Sequence, residues 1–517
     1  MSFLDDVKEV LDNRKQLTEN GAVGYATSGH ALLDMNFAVT SYRNKQDFEI
    51  ASDFSKAYFE NPLMAVAWVF YARDVRGGLG ERNLFRVCMK KLADINKSLF
   101  IELLPLVAEY GRWDDIFSWM TIDKDIEDAV LKLTKEQFDK DLIDRMDDKP
   151  ISLLAKWIPT ENCSNKDRKI KARKIIDFMD VKPSDYRKCV ANLRKYLDVV
   201  EVKTSENKWD EIDYNTVPSC ANLKYKDAFL KHDEKRRTKY LNALARGDKN
   251  VKINSSVLYP HDIVSKYTEH SYWGREVKGY DEAVEQLWKN LPNLVEGGNT
   301  LVVADGSASM LTTVGNTSVT ALEVANALAI YFSEHNEGAF KDKYITFSAR
   351  PQLVDFSNAK TLRDKIRIAL THNECSNTNI EKTFKLILTT AIENHYKQSD
   401  MPQNIVIISD MEFDCGITHD AYWFNGQEKT LFENLAKDFE NAGYKMPKLI
   451  FWNVCGRTNT IPIKQNDAGV ILMSGFSVNL CNMVFNNETD PYVALVKEIT
   501  KERYHAVLKV ANKVLQS

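Results

Sequence analysis

The sequence has little of what would mark a secreted, membrane-spanning or metal-stapled protein. Its eight cysteines are scattered over 517 residues with no Cys-x-x-Cys pair. Neither a zinc site nor a disulfide framework is therefore indicated, and a reducing, cytoplasmic compartment is expected. The opening Met-Ser-Phe-Leu-Asp-Asp-Val lacks the basic region and apolar stretch of a secretory signal. No run approaches the roughly 20 apolar residues that a bilayer-crossing helix needs, so no membrane partner is expected. Neither sign of charge predominates. The net charge is −4, with 21 basic and 24 acidic side chains from residue 301 onward against 48 and 49 before it. Bulk charge does not advertise a nucleic-acid binder, so such a role must rest on local patches. His335, His372, His395 and His419 are dispersed and no nucleophile has a recognisable base beside it. The expectation is a protein that is not an enzyme.

What is present is an ordinary globular composition, 44% apolar and 27% charged, in a chain long enough for two or more units. Up to about residue 295 the periodicity is helical. Pro62 opens one helix, with Met64, Trp68 and Tyr71 at helical spacing, and Gly77-Gly78-Leu79-Gly80 turns the chain into a second. The glycines are not a P-loop, since Glu81-Arg82 stands where Lys-Ser/Thr would be needed. Short joints between helices predict a helical-repeat solenoid, although no clean internal period is visible. Arg76 and Arg82 flank the glycine turn, and Lys169, Lys171 and Arg173 lie in the densest basic run. These five are the candidate phosphate contacts; a solvated or ion-paired face is the default for any such cluster. Trp113 and Trp157 read as core.

Pro292 and Gly297-Gly298 mark a boundary, giving domains at 1–295 and 296–517. From Thr300 the pattern alternates strand, helix, strand, predicting a doubly wound sheet with strands near 301–304, 344–347, 405–408, 449–452 and 470–473. The first of these ends in Asp305-Gly306-Ser307-Ala308-Ser309. A carboxylate and two hydroxyls on one tight loop are hard oxygen ligands, suited to Mg²⁺, Mn²⁺ or Ca²⁺. Thr378 precedes a helical pattern, and Asp410 closes a later strand in the manner of Asp305. A cation would relieve repulsion among Asp305, Asp410, Glu412 and Asp414. The alternative is that the loop only caps the next helix.

Asp-x-Ser-x-Ser, then a Thr after the second helix, then an Asp at the end of the fourth strand resembles the metal-ion-dependent adhesion site of von Willebrand A domains. Ala308 stands where Gly is usual and Gly306 occupies the first variable position. The resemblance implies a divalent cation, most simply Mg²⁺, held by Asp305, Ser307, Ser309, Thr378 and Asp410. It also implies one position left for an acidic group from a partner. In the first half, the segment Arg73 to Arg82, the turn Tyr110-Gly111-Arg112-Trp113-Asp114-Asp115 and Lys156-Trp157-Ile158-Pro159-Thr160-Glu161 resemble the TROVE module of Ro autoantigen-type RNA-binding proteins. The resemblance is closer to their relatives in bacteria, phages, large viruses, fungi and plants, in which a helical module also precedes a von Willebrand A domain. It implies an α plus α/β protein: a HEAT-like solenoid or ring, then a Rossmann-like domain. It also implies a non-catalytic function, holding small or single-stranded RNA on a basic helical surface. The alternative is a cation-dependent protein–protein scaffold. Oligomeric state is not legible.

Overall fold

Each of the five apolar runs after residue 300 forms a strand, because β-branched residues in series favour extended backbone and cannot bury both faces outside a covered sheet. The computed structural model describes residues 15–21, 23–271, 274–295, 299–315, 317–347, 350–372, 380–413, 431–458, 460–461, 470–485, 488 and 490–517. It is an α plus α/β architecture. By contacts the chain divides into two units, one formed by residues 1–65 with 258–501 and one by 66–257 with 502–517. The sequence division at 295/296 tracks where element type changes along the chain, whereas the compact units draw on both ends of it.

The sheet-bearing unit holds six strands in the order β10-β9-β8-β5-β6-β7. These are β5 (Thr300–Asp305), β6 (Lys343–Phe347), β7 (Gln352–Asp355), β8 (Asn404–Ser409), β9 (Lys448–Asn453) and β10 (Val470–Ser474). All neighbours are parallel except the edge pair β6 and β7. Strand β7 and two antiparallel hairpins, β1 (Lys15–Leu17) with β2 (Val23–Tyr25) and β3 (Thr268–Ser271) with β4 (Gly274–Val277), went unread in the sequence. At three or four residues each, they are too short to show a period.

The helix Ala321–His335 is buried along nearly its whole length against the sheet. Its N-terminus carries a reciprocal cap between Thr320 and Glu323. On the other strands, Thr40 N–H donates to Ser474 Oγ at 3.2 Å, and Asn453 Nδ2 donates to the Phe37 carbonyl at 2.9 Å. These bonds place the helix Ala31–Phe37 beside β10. The crossovers leave β5 in one direction and β8 in the other, so the adjacent carboxyl ends of β5 and β8 form the switch point of the sheet.

The helical unit takes in the helix Pro62–Arg73 from Val66 onward, and its apolar residues Val66 to Ala72 are all buried. The glycine turn then reverses the chain. Leu79 N–H donates to the Tyr71 carbonyl at 3.2 Å, and a Cβ at Gly78 would lie 1.9 Å from that same oxygen. Only glycine fits there. The next helices, Arg82–Ile95 and Lys97–Tyr110, pack on each other, and His505–Leu515 packs on the latter. Further along, Asp233 separates the helices Lys226–His232 and Glu234–Ala245. Near the end of the sequence Pro491–Ile499 and His505–Leu515 are separate helices and belong to different units. Among the described residues no helix is long and apolar enough to cross a membrane.

Candidate divalent-cation site and basic surfaces

Asp305 ends β5 almost fully buried, and its Oδ1 accepts from Ser307 N–H at 2.9 Å, which tightens the loop. That turn brings Ser307 Oγ within 3.0 Å of Ser309 Oγ. Strand β8 delivers the second carboxylate. Ser409 Oγ donates to Asp305 Oδ2 at 2.6 Å, and Asp410 Oδ1 accepts from Glu412 N–H at 3.2 Å. The residue after Asp410, Met411, sits in the left-handed region with φ 64°. For a side chain of that size this conformation is strained, and it sharpens the turn that holds Asp410 inward.

Two carboxylates and two hydroxyls thus converge at the switch point. Burial, together with the neighbouring Asp410 charge, pushes the Asp305 carboxyl up to about 7. Burial also raises Asp410, opposed by the Arg457 guanidinium. Arg457 Nη1 stands 3.2 Å from Asp410 Oδ2, an ion-pair contact at an angle that makes no hydrogen bond. That oxygen is buried and accepts none. A buried carboxylate oxygen that has an ion-pair contact but accepts no hydrogen bond, set beside paired hydroxyls, fits a hard cation. Among the described residues no group of three or more His, Cys, Asp or Glu is placed to hold a metal ion, so the serine hydroxyls are essential to this donor set. Thr378 and Asp414 lie outside the described residues.

Glu412 departs from expectation. It is buried, but its oxygens serve the backbone: they accept from the N–H of Glu19 (2.8 Å), Arg457 (2.9 Å) and Thr458 (2.8 Å), and from the Thr458 hydroxyl at 3.1 and 3.0 Å. It needs no cation to relieve its charge. The hairpin β1–β2 is held at the same edge, through Gln16 Nε2 to the Thr458 carbonyl at 2.8 Å and reciprocal backbone bonds of 2.8 Å between Tyr25 and Ile461. Arg457 itself is placed by Asn453 at the end of β9, whose Oδ1 accepts from Cys455 and Gly456 N–H at 3.1 and 2.7 Å. Sequence reasoning missed Arg457 and Ser409. Ser409 directly precedes Asp410, and Arg457 lies just past a strand end, so position relative to strand ends was the available signal.

The five basic candidates are not equivalent. Arg76 is exposed, with Nη1 3.5 Å from Glu109 Oε1. Arg82 pairs with Asp114 and lies 3.4 Å from Asp115. Asp115 is the buried hub of this cluster, accepting from Arg73 Nε and Nη2 at 2.9 and 2.8 Å and from Arg86 Nε at 2.6 Å. The motif residues around it are therefore packing residues. On the helix Lys166–Met179, Lys169 is half-buried and the Arg173 side chain is 70% exposed, with Nε 3.5 Å from Glu161. Lys171 does not join them. At 100° per residue it lies on the opposite side of the helix; it is buried, with Nζ 2.8 Å from Asp167. Of the expected core tryptophans, Trp113 is buried, while Trp157 is half-buried under the Arg112 guanidinium, 5.1 Å from its ring centre.

Residues 299–513 match a family model described as a domain of unknown function, DUF7788, and residues 164–299 match a second, DUF2828. An uncharacterized protein of Acanthamoeba polyphaga mimivirus, L728, is 29% identical over 509 residues, covering 91% of this chain and 84% of the viral protein. Among solved structures, the chain is similar to the Ro (RSR) protein of Deinococcus radiodurans at 12% identity and a TM-score of 0.35, over 88% of this chain and 91% of that one. A likeness of that size says nothing of what either surface binds.

Proposed function

We propose that the protein is a non-catalytic binding protein of the cytoplasm, in which a von Willebrand A-type adhesion site holds a divalent cation and captures an acidic group of a partner. The reading is carried by the buried, unaccepting Asp410 Oδ2 set beside Asp305 and the Ser307–Ser309 hydroxyl pair. Asp305, Ser307, Ser309 and Asp410 would hold the ion, with Thr378 expected to complete the set. Mg²⁺ suits these oxygens, with Mn²⁺ and Ca²⁺ as substitutes. The ion would neutralise two buried carboxylates and offer a positive centre to a carboxylate or phosphate. Ser409 holds Asp305 in place through its 2.6 Å bond. The test is thermal melting with added Mg²⁺. Wild type should gain stability and Asp305→Ala should gain none; an equal shift in both would refute the assignment.

RNA is a second partner, proposed for the helical unit, whose stacked helices we read as a HEAT-like solenoid of the TROVE type. The observation that favours it is the open Arg173 side chain, 70% exposed, on the same helical face as Lys169. Contacts there would be to backbone phosphate and carry salt dependence. Protein purified natively at low salt should carry RNase-sensitive absorbance at 260 nm. Lys169→Glu with Arg173→Glu should weaken RNA binding and flatten its salt dependence, whereas Lys171→Gln should not. Clean protein that co-purifies with a polypeptide released by chelator would leave the first reading alone standing.

A further inference from the structure

We propose that Arg457 is a built-in rival of the divalent cation for Asp410, and that Glu19 on the N-terminal hairpin is the carboxylate that receives Arg457 when the ion enters. The inference rests on the cation-site reading and adds to it a coupling between ion occupancy and the seating of the hairpin.

The guanidinium is shared between two acids. On one edge Nη1 lies 3.2 Å from Asp410 Oδ2, and it donates to Thr312 Oγ1 at 3.2 Å and the Ser309 carbonyl at 3.4 Å. On the other edge Nε and Nη2 both lie 2.5 Å from Glu19 Oε2. Neither partner is placed by chance. Glu412 fixes the backbone N–H of Arg457 with one oxygen and that of Glu19 with the other, at 2.9 and 2.8 Å. A single buried carboxylate thus sets how far Arg457 stands from each acid. The contact with Asp410 lacks hydrogen-bond geometry while the contact with Glu19 has it, so the guanidinium is held more firmly by the hairpin than by the site.

A divalent ion at Asp410 repels a guanidinium a few ångströms away, and the low-dielectric surroundings strengthen that repulsion. Arg457 keeps its fork on Glu19 and gives up Asp410. Two substitutions then act in opposite directions. Arg457→Gln removes the rival and tightens ion binding. Glu19→Gln removes the receiving carboxylate, leaves Arg457 to Asp410 alone, and weakens it. By reciprocity the ion must strengthen the Glu19–Arg457 pair and with it the seat of the hairpin.

The experiment is calorimetric titration of the full chain with MgCl₂ and MnCl₂, as wild type, R457Q, E19Q and the double variant S307A/S309A, with amide hydrogen exchange over residues 16–21 followed with and without ion. R457Q should bind about tenfold tighter or more, and E19Q several-fold weaker. Exchange over 16–21 should slow with ion in wild type and not in R457Q. Equal or weaker binding by R457Q makes the arginine a helper and overturns the proposal. A shift of E19Q in the same direction as R457Q overturns it too, and E19Q, on an exposed side chain, keeps the test open should R457Q fold poorly. Failure of every variant to bind an ion sinks the cation site together with this inference. Binding retained in S307A/S309A instead sinks the adhesion-site reading alone.

Discussion

Asparagine at position 305 should stabilise the cation-free protein at pH 8 and abolish its response to Mg²⁺. An aspartate in the unfolded chain titrates near 3.8, and in the fold burial and the Asp410 charge push it to about 7. Below 3.8 both states are protonated and nothing is lost. Between the two values the folded protein keeps a proton that the unfolded chain has released, so stability falls as pH rises, and above 7 the full cost is present. At ~1.4 kcal/mol per unit, that cost is on the order of 4 kcal/mol. The substitution forfeits part of this gain. Asparagine still accepts from Ser307 N–H, but its amide faces Ser409 Oγ, which already accepts from Met411 N–H at 2.9 Å. A loss of about 1 kcal/mol is expected there, leaving a net gain of roughly 2–3 kcal/mol. Urea unfolding in chelator, followed by tryptophan fluorescence at pH 4 and pH 8, should show D305N behind wild type by up to about 1 kcal/mol at the lower pH and ahead at the higher. Mg²⁺ at a hundred times its Kd should close the gap by adding about 2.7 kcal/mol to wild type alone, and at a thousand times, about 4.1 kcal/mol, it should reverse the order. D305N less stable than wild type in chelator at pH 8 would mean that the Asp305 charge is already compensated, and the argument from a stranded anion would fail.

Three further outcomes follow from packing. Asp115→Ala should destabilise the helical unit by about 3–5 kcal/mol, because it strands the buried Arg73 guanidinium; chemical denaturation would show a lower midpoint, and an unchanged midpoint would remove Asp115 as the hub. Gly78→Ala, whose new methyl would meet the Tyr71 carbonyl at 1.9 Å, should abolish the folded helical unit, as read by far-UV circular dichroism and soluble yield. Burial lowers the His261 imidazole to about 4, so the unfolded chain binds a proton that the fold refuses. Stability should therefore drop as pH falls from 6.5 toward 4, by on the order of 3 kcal/mol; His261→Phe should remove most of that acid sensitivity in a pH-dependent melting series.

The five parallel strands of the main sheet were legible because a strand buried on both faces reads as a continuous apolar run, as Ile405 to Ile408 do in β8. Asp305 and Asp410 were legible for a related reason: an acid ending such a run is anomalous unless it sits at the carboxyl edge. Arg457 was not, since its role depends on β9 lying beside β8, which no local pattern encodes. The basic run showed the limit of composition. Lys169, Lys171 and Arg173 look alike in sequence, and helical rotation alone sends Lys171 inward to Asp167. Asp115 was taken with its neighbours as part of a turn, and its function as acceptor for several guanidinium nitrogens appears only when the chain folds back.

The pairing of the first strands with the 457–461 loop also sets an order of assembly. Gln16 waits for Thr458, 442 residues later, which at ribosomal speeds of 5–20 residues per second is a delay of roughly 20–90 s. Within that interval β1 can pair with β2, but the two backbone bonds between Tyr25 and Ile461 can form only after most of the sheet has been synthesised. The hairpin is a closing element of the fold and not its nucleus. A messenger truncated before codon 457 would release a chain whose first strands can never be seated, leaving a simple mark for quality control to recognise.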